Sequence, residues 1–400
     1  MTPMRSVFNP STVSPKEKMK IAVLIRRFVL TGGAERYAVE VTRRLAREHD
    51  VSVFAQEWSF EGKEKINFHR IPRFFIRPNF LNQLLFSFFT RRSLDDSFDI
   101  VHTHERVCQF DVLTVHCPCF RSIVTRHKSP LIRFFVWLSV ALSPRKLAYL
   151  WLEKRQFAYN RERLWIAVSE NVKKNVQTNY PLPDECFGIV YPGADSNLTT
   201  EKDIAENRKR LRSKLGIEKD DLVVLFVGTE FKRKGLDALL KGFALLPRSN
   251  MKLVIAGEGR PDRYMLTAKG LGIERDVIFL GLVENIEEAY AISDVYILPT
   301  LSDPAGMAPL EAMVCGVATV ISCDKYAGIA ECMRDQEAII LNDPNDPEEI
   351  AGSLRRLMDK DYRRELGNKG RILAEKMTWE KTTADTLSIY HKVLELKRGD

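Results

Sequence analysis

The 400-residue sequence has no apolar run long enough to span a bilayer. The longest, Leu131 to Leu142, is interrupted by Arg133 and falls short of the roughly 20 residues a spanning helix needs. Met1 to Lys18 is polar, holds three prolines and lacks the apolar centre of a signal peptide, so residues 1–19 read as a disordered extension. Cysteine is scarce and unpatterned, with seven residues and no framework spacing. Cys117 and Cys119 stand too close for a zinc knuckle and no second pair answers them, so the thiols read as reduced and the compartment as cytoplasmic. There is no low-complexity tract, no repeat of solenoid period and no G-x-G-x-x-G. The one Asp-x-Asp, Asp359-Lys-Asp361, reads as solvated surface of a charged helix, and no metal site is expected. With 45% hydrophobic and 28% charged residues, the composition excludes a largely disordered chain, a fibre or a multi-span membrane protein.

At about 150 residues per domain the length implies two to three domains. Lys20 to Ile25 is a short apolar run ending at Thr31-Gly32-Gly33. A helical pattern follows, with Tyr37, Val41 and Leu45 on one face and Arg43, Arg44 and Arg47 on the other. Val51–Phe54, Phe98–His102, Val112–Val115 and Trp165–Ser169 read as further strands. A polar stretch, Asp195 to Arg212, separates this half from a second with the same grammar. There the strands are Leu222–Gly228, Met251–Gly257, Val277–Gly281, Val295–Leu298 and Ala318–Ile321. Near-continuous apolar strands alternating with helices predict parallel sheets covered on both faces. The expected fold is therefore α/β, with two Rossmann-like domains and ligands at the carboxyl ends of their strands, in the cleft between them.

Four segments carry candidate chemistry. Ser302-Asp-Pro-Ala-Gly-Met-Ala-Pro-Leu-Glu311 follows a strand directly and opens a helix at Met307. The free N–H groups of a helix start bind phosphate, and Gly306 lets a ligand approach the backbone. Glu311 can accept two sugar hydroxyls and Asp303 can reach a second polyol; alone, the same acids also suit any helix N-terminus. Gly228-Thr-Glu-Phe-Lys-Arg233-Lys234-Gly235 puts two cations after a strand end, where they can neutralise a leaving diphosphate or simply face solvent. Thr31-Gly32-Gly33 is a glycine turn before a helix, and Thr114-Val-His116 ends a strand on a histidine. Glu105 and Arg106 lie at another strand end.

Asp303-x7-Glu311 resembles the E-x7-E signature of retaining GT-B glycosyltransferases, glycosyltransferase family 4, with Asp in place of the first Glu. Within that family the segment is most similar to the lipopolysaccharide core glucosyltransferase I group. The resemblance covers nearly the whole chain after Lys20. It implies Arg233 and Lys234 on the donor diphosphate, with Asp303 and His116 orienting the donor sugar. It places Gly32 and Gly33 near the donor phosphates, with Gly306, Met307 and Glu311 also on the donor. Gly257, Gly259 and Val283, beside Leu282 and Glu284, would form the nucleobase pocket. Glu105 and Arg106 would face the acceptor. Tyr191 to Asp195 looks like the family's hinge, and Trp379 to Leu396 like its last helix, which returns to the first domain. The implied division is 1–19 extension, 20–193 acceptor domain, 194–377 nucleotide-sugar domain and 378–400 returning helix. The implied reaction is metal-independent and needs no cofactor; a nucleotide-diphosphate sugar is co-substrate.

The net charge is +8. Between Arg121 and Trp165, ten basic residues stand against the acids Glu153 and Glu162, with Phe134, Phe135, Trp137, Tyr149, Trp151 and Phe157 interleaved. Basic plus aromatic is the pattern of a peripheral, anionic membrane surface and also suits a phosphorylated glycolipid acceptor; a core helix with a solvated basic face has the same pattern. The expected protein is a hexosyltransferase on the inner face of the cytoplasmic membrane, adding a sugar from a UDP-glucose-like donor to a lipopolysaccharide core or similar glycolipid, with no nucleic-acid partner. A sugar-nucleotide epimerase, a soluble sugar transferase and a non-catalytic polyanion-binding protein are the alternatives.

Overall fold

The computed structural model describes residues 18–75, 77–125, 129–195, 201–247, 250–283 and 285–399. Nearly all of the extension expected at residues 1–19, and Arg126, Lys128 and Glu284, lie outside them. The chain divides into two compact units, residues 1–190 with 380–400, and residues 191–379.

Among the described residues unit 1 is built on nine strands: β1 (Lys20–Leu24), β2 (Arg27–Phe28), β3 (Asp50–Ala55), β4 (Glu57–Trp58), β5 (Ile66–Arg70), β6 (Ile100–Thr103), β7 (Val112–Val115), β8 (Leu164–Ala167) and β9 (Phe187–Ile189). Seven form one sheet in the order β5-β3-β1-β6-β7-β8-β9, and β2 pairs with β4 beside it. Every pairing is parallel. Strands β6, β7 and β8 are buried along their whole length. Such strands need cover on both faces, which accounts for their unbroken apolar runs. Unit 2 repeats the plan with β10 (Leu222–Val227), β11 (Met251–Ala256), β12 (Val277–Gly281), β13 (Val295–Leu298), β14 (Ala318–Ser322) and β15 (Ile339–Leu341). Their order is β12-β11-β10-β13-β14-β15, again all parallel.

Each order reverses once. The chain runs outward from β1 to β5 and restarts on the other side at β6; in unit 2 it runs from β10 to β12 and restarts at β13. Loops leaving the two central strands diverge at that point and open a crevice at the carboxyl ends, where ligands of such sheets bind.

The last helix, Trp379–Arg398, belongs to unit 1 from Glu380 onward. Ile389, Tyr390 and Val393 are buried, and Lys397 pairs with Asp111 at 2.9 Å. Burying each of the three apolar side chains is worth about 1.5–3 kcal/mol, so the contact is structural.

One expectation needs correction. Arg44 is not on a solvated helix face: it is buried, paired with Glu40 and, at 2.9 Å, with Glu380. A buried guanidinium is tolerated because carboxylates satisfy its fork. The polar stretch Asp195 to Arg212 is largely helix, Glu201–Lys214. Its Arg208 and Arg212 clamp Asp294 at 2.6 and 2.7 Å, so its charge reflects an ion-pair anchor. Asp359 also has a specific task, capping the helix Lys360–Ala374 by accepting from the Tyr362 N–H at 2.8 Å.

Candidate active site

In unit 2 the crevice between β10 and β13 gathers most of the expected residues. After β10 the chain turns through Glu230 to Lys234 and enters the helix Leu236–Ala244 at Gly235, in left-handed backbone. Arg233 Nε donates to Glu230 Oε2 at 2.7 Å, and Arg233 Nη1 donates to the Ser302 carbonyl. Leu301 N–H donates to the Arg233 carbonyl at 2.9 Å. These bonds tie the loop after β10 to the loop after β13.

Lys234 Nζ stands 2.7 Å from Asp303 Oδ2, with each side chain only 13% exposed. Asp303 is fixed in turn: its N–H donates to the Tyr326 carbonyl at 2.7 Å and its carbonyl accepts from Gly328 N–H at 2.8 Å. Asp303 Oδ1 accepts from Gly306 N–H at 3.3 Å. Gly306 then starts the helix Met307–Val314 with φ of 69°. A side chain there would be strained by the backbone and would strike Ile329, so the residue must be glycine. One turn on, Glu311 is buried and its Oε2 accepts from the Tyr290 hydroxyl at 2.8 Å. Tyr296 on β13 is fully buried. Burial, then the charges of Asp303 and Glu311, push its hydroxyl well above the usual range.

Gly228 and Gly257 stand side by side at the ends of β10 and β11. Gly228 N–H donates to the Ala256 carbonyl at 3.0 Å, and Gly257 N–H to the Gly281 carbonyl at 2.8 Å. Gly257 has φ of 129°, and a side chain on it would strike the Gly228 carbonyl. Gly259 backs onto the Phe231 ring, and Val283 is half-buried against the unit 2 core. Unit 2 therefore offers a glycine floor, two cations, a helix start and two carboxylates around one crevice.

In unit 1 the matching crevice lies between β1 and β6. Arg26 Nε stands 3.1 Å from Glu105 Oε2, so Glu105 is held from the β1 side. Gln156 donates to the Glu105 carbonyl at 2.7 Å and Gln83 to the Arg106 carbonyl at 2.9 Å. The Arg106 guanidinium lies 5.2 Å from the centre of the Tyr149 ring. Gly32, with φ of 97°, caps the helix Gly33–Leu45, and Glu35 in its first turn folds back over Gly32.

His116, after β7, is not alone. His104 Nδ1 is 2.9 Å from His116 Nε2, and the Tyr37 ring packs edge-on against His116 at 5.1 Å. His102 Nδ1 is 2.6 Å from the Tyr390 hydroxyl, and its Nε2 is 2.7 Å from Thr114 Oγ1. Burial pushes His116 down to about 3; burial, then the neighbouring His116, pushes His102 to about 3. Burial and both neighbours hold His104 well below the usual imidazole range. All three are therefore uncharged at neutral pH. Among the described residues no group of three His, Cys, Asp or Glu is arranged to hold a metal ion.

Three site features escape the sequence reading. Tyr290 sits on the buried face of the helix Ile286–Ile292 and carries no signal beyond a core aromatic. Glu230 as partner of Arg233 is visible only once the turn is built. His102-x-His104 did carry one, since alternate residues of a strand share a face and bring both rings to one end of β6.

Residues 31–198 match the Glycosyltransferase Family 4 domain, and residues 207–372 match Glycosyl transferases group 1. The chain belongs to the glycosyltransferases of GT-B type, its two units carrying the two domains of that family. It is 26% identical to an uncharacterized glycosyltransferase of Methanocaldococcus jannaschii, over 94% of this chain and 99% of that protein. It is 23% identical to the lipopolysaccharide glucosyltransferase WaaG of Escherichia coli, over 85% of this chain and 90% of that protein. Among solved structures, WaaG superimposes with a TM-score of 0.78 at 22% identity, covering 94% of this chain and 99% of the other. Anabaena HepE in complex with UDP-glucose superimposes with a TM-score of 0.68 at 19% identity, covering 92% and 99%. The expected α/β, GT-B class is thus the observed one.

Proposed function

We propose that the chain transfers a hexose from a UDP-glucose-like donor to a lipopolysaccharide core or similar envelope glycolipid, with retention of anomeric configuration. The observation that carries this reading is the Lys234–Asp303 ion pair beside the start of the helix Met307–Val314. It is a cation and a carboxylate held ready, with low exposure, beside N–H groups suited to phosphate. On donor binding, Lys234 exchanges Asp303 for a diphosphate oxygen, and Asp303 turns to a hydroxyl of the sugar. Glu311 accepts from the ribose hydroxyls, with Gly257, Gly259 and Val283 against the base and Gly32 and Gly33 near the phosphates.

The bond from the anomeric carbon to the diphosphate oxygen breaks, and negative charge grows on the leaving diphosphate. Arg233, Lys234 and the N–H groups at Gly306 and Met307 stabilise that charge. The acceptor hydroxyl, steered by Glu105 and Arg106, attacks the same face and passes its proton to the departing phosphate oxygen. His116 orients the transferred sugar. The two cations take the electrostatic task of a divalent ion, so turnover should persist in chelator. Similarity to WaaG favours a glycolipid acceptor over a soluble sugar.

The enzyme docks on the inner face of the cytoplasmic membrane through the helix Pro130–Ala141, where only Val140 is buried while Leu131, Phe134 and Phe135 are 66, 62 and 58% exposed. That exposure disfavours a core helix with a solvated basic face. No helix among the described residues is long and apolar enough to cross a membrane. The test is a screen of sugar nucleotides for diphosphate release with and without glycolipid, in chelator, with the product anomer read by NMR. Acceptor-dependent release and an unchanged anomer support the reading; acceptor-independent consumption of the donor, or inversion, overturns it.

A further inference from the structure

The imidazole pair His104–His116 shares one hydrogen bond, Nδ1 of His104 to Nε2 of His116, at 2.9 Å. Two uncharged imidazoles hold one proton each, so only one of them donates across that bond. The other nitrogen of His104, Nε2, is buried and has no hydrogen-bond partner among the described residues. If His116 donated, His104 would carry its proton on that sealed Nε2, leaving a buried N–H unpaired. Orphaned buried N–H groups are rarer than under-satisfied acceptors. The favoured arrangement is therefore His104 Nδ1–H donating to His116 Nε2, with the His116 proton on Nδ1.

We propose that His104 is a positioning residue that locks His116 in the Nδ1–H tautomer, so that His116 presents an uncharged hydrogen-bond donor, and not a base, to an oxygen of the transferred sugar. The rest of the pocket fits that role. Tyr37 packs edge-on against His116, and His102 lies 4.4 Å from the His104 ring centre to centre, itself pinned by Tyr390 and Thr114. No carboxylate forms a hydrogen bond or ion pair with either ring of the pair among the interactions described. A donor of this kind holds a sugar hydroxyl or ring oxygen without placing a second charge near the growing oxocarbenium character of the transition state. The sugar half of the inference rests on the proposed contact of His116; the tautomer half does not.

The experiment is long-range nitrogen–proton NMR of histidine-labelled protein, with kinetics of four variants. The wild type should show His116 protonated at Nδ1 and neutral at pH 7. His104→Phe should release that tautomer and lower kcat roughly 10- to 100-fold, the usual cost of losing a group that orients a functional imidazole, with a smaller change in donor KM. His104→Asn, whose amide N–H falls near the original Nδ1, should restore the tautomer and most of kcat; His104→Gln, whose amide lies further out, should restore neither. An Nε2–H tautomer in the wild type overturns the proposal even if every variant misfolds. A correct tautomer with full activity in His116→Ala overturns the sugar contact alone, and so separates the two claims.

Discussion

Acidification from pH 7 to pH 5 should weaken unit 1 and spare unit 2. All seven histidines lie in the unit 1 residues, at positions 49, 69, 102, 104, 116, 127 and 391, and none lies between 191 and 379. His102 and His116 stay neutral in the folded chain down to about 3. In the unfolded chain each takes a proton near 6.5. Below 6.5 the unfolded state therefore binds more protons, and stability present above 6.5 is lost as pH falls toward 3. At pH 5 the loss is set by the unfolded value alone, because the folded rings are still neutral: about 1.5 pH units, or about 2 kcal/mol per histidine. Two such rings amount to about 4 kcal/mol, a large share of the 5–15 kcal/mol typical of a domain. Hydrogen exchange read peptide by peptide at both pH values, corrected for intrinsic rates, is the assay. Amides of β6 and β7 should lose protection by two to three orders of magnitude, while β10 and β13 stay unchanged. Equal protection in β6 and β7 at both pH values would refute the reasoning, as would an equal loss in unit 2.

Four further outcomes follow from the geometry. Lys234→Ala should lower turnover more than it weakens donor binding, because the leaving charge is greatest in the transition state; steady-state kinetics showing only a raised KM would make Lys234 a ground-state anchor. Tyr290→Phe should weaken donor binding by about 1.5–3 kcal/mol, the worth of a hydrogen bond to a charged group that keeps Glu311 aimed, measured by calorimetry; wild-type affinity would show that Glu311 needs no support. Gly306→Ala should lower thermal stability by about 1–2 kcal/mol for the left-handed backbone, and more as Ile329 is displaced; an unchanged melting temperature would contradict that strain. Phe134→Ser with Phe135→Ser should remove the salt-resistant part of vesicle binding and leave donor turnover intact. Sedimentation with neutral and anionic vesicles at low and high salt reads this, and unchanged binding in high salt would sink the apolar contact.

The legible part of this protein was its periodicity. Runs such as Leu222–Gly228 and Val295–Leu298 are apolar at nearly every position, which only a strand buried on both faces requires, and Gly228 at the end of the first marks the crevice. Short strands such as β5 and β15 were not legible, because β5 is largely exposed at a sheet edge and β15 is three residues long. The pattern alone misplaces Arg44 for a related reason: helical spacing gives the face of a residue but not the carboxylate that arrives from Glu380, more than 300 positions away. The motifs around Asp303, Glu311, Arg233 and Lys234 were visible as spacing, yet the Lys234–Asp303 contact was not, since it depends on two loops leaving adjacent central strands.

The most direct test of the donor site is the affinity of UDP and UDP-glucose for wild type and Glu311→Ala by titration calorimetry, with folding checked by circular dichroism. A carboxylate accepting ribose hydroxyls as charge-assisted hydrogen bonds contributes on the order of 2–4 kcal/mol. Both ligands should bind the wild type and lose at least about 30-fold in affinity in the variant, which stays folded. Equal affinity in a well-folded variant would take Glu311 out of the nucleotide site and contradict the account at its centre.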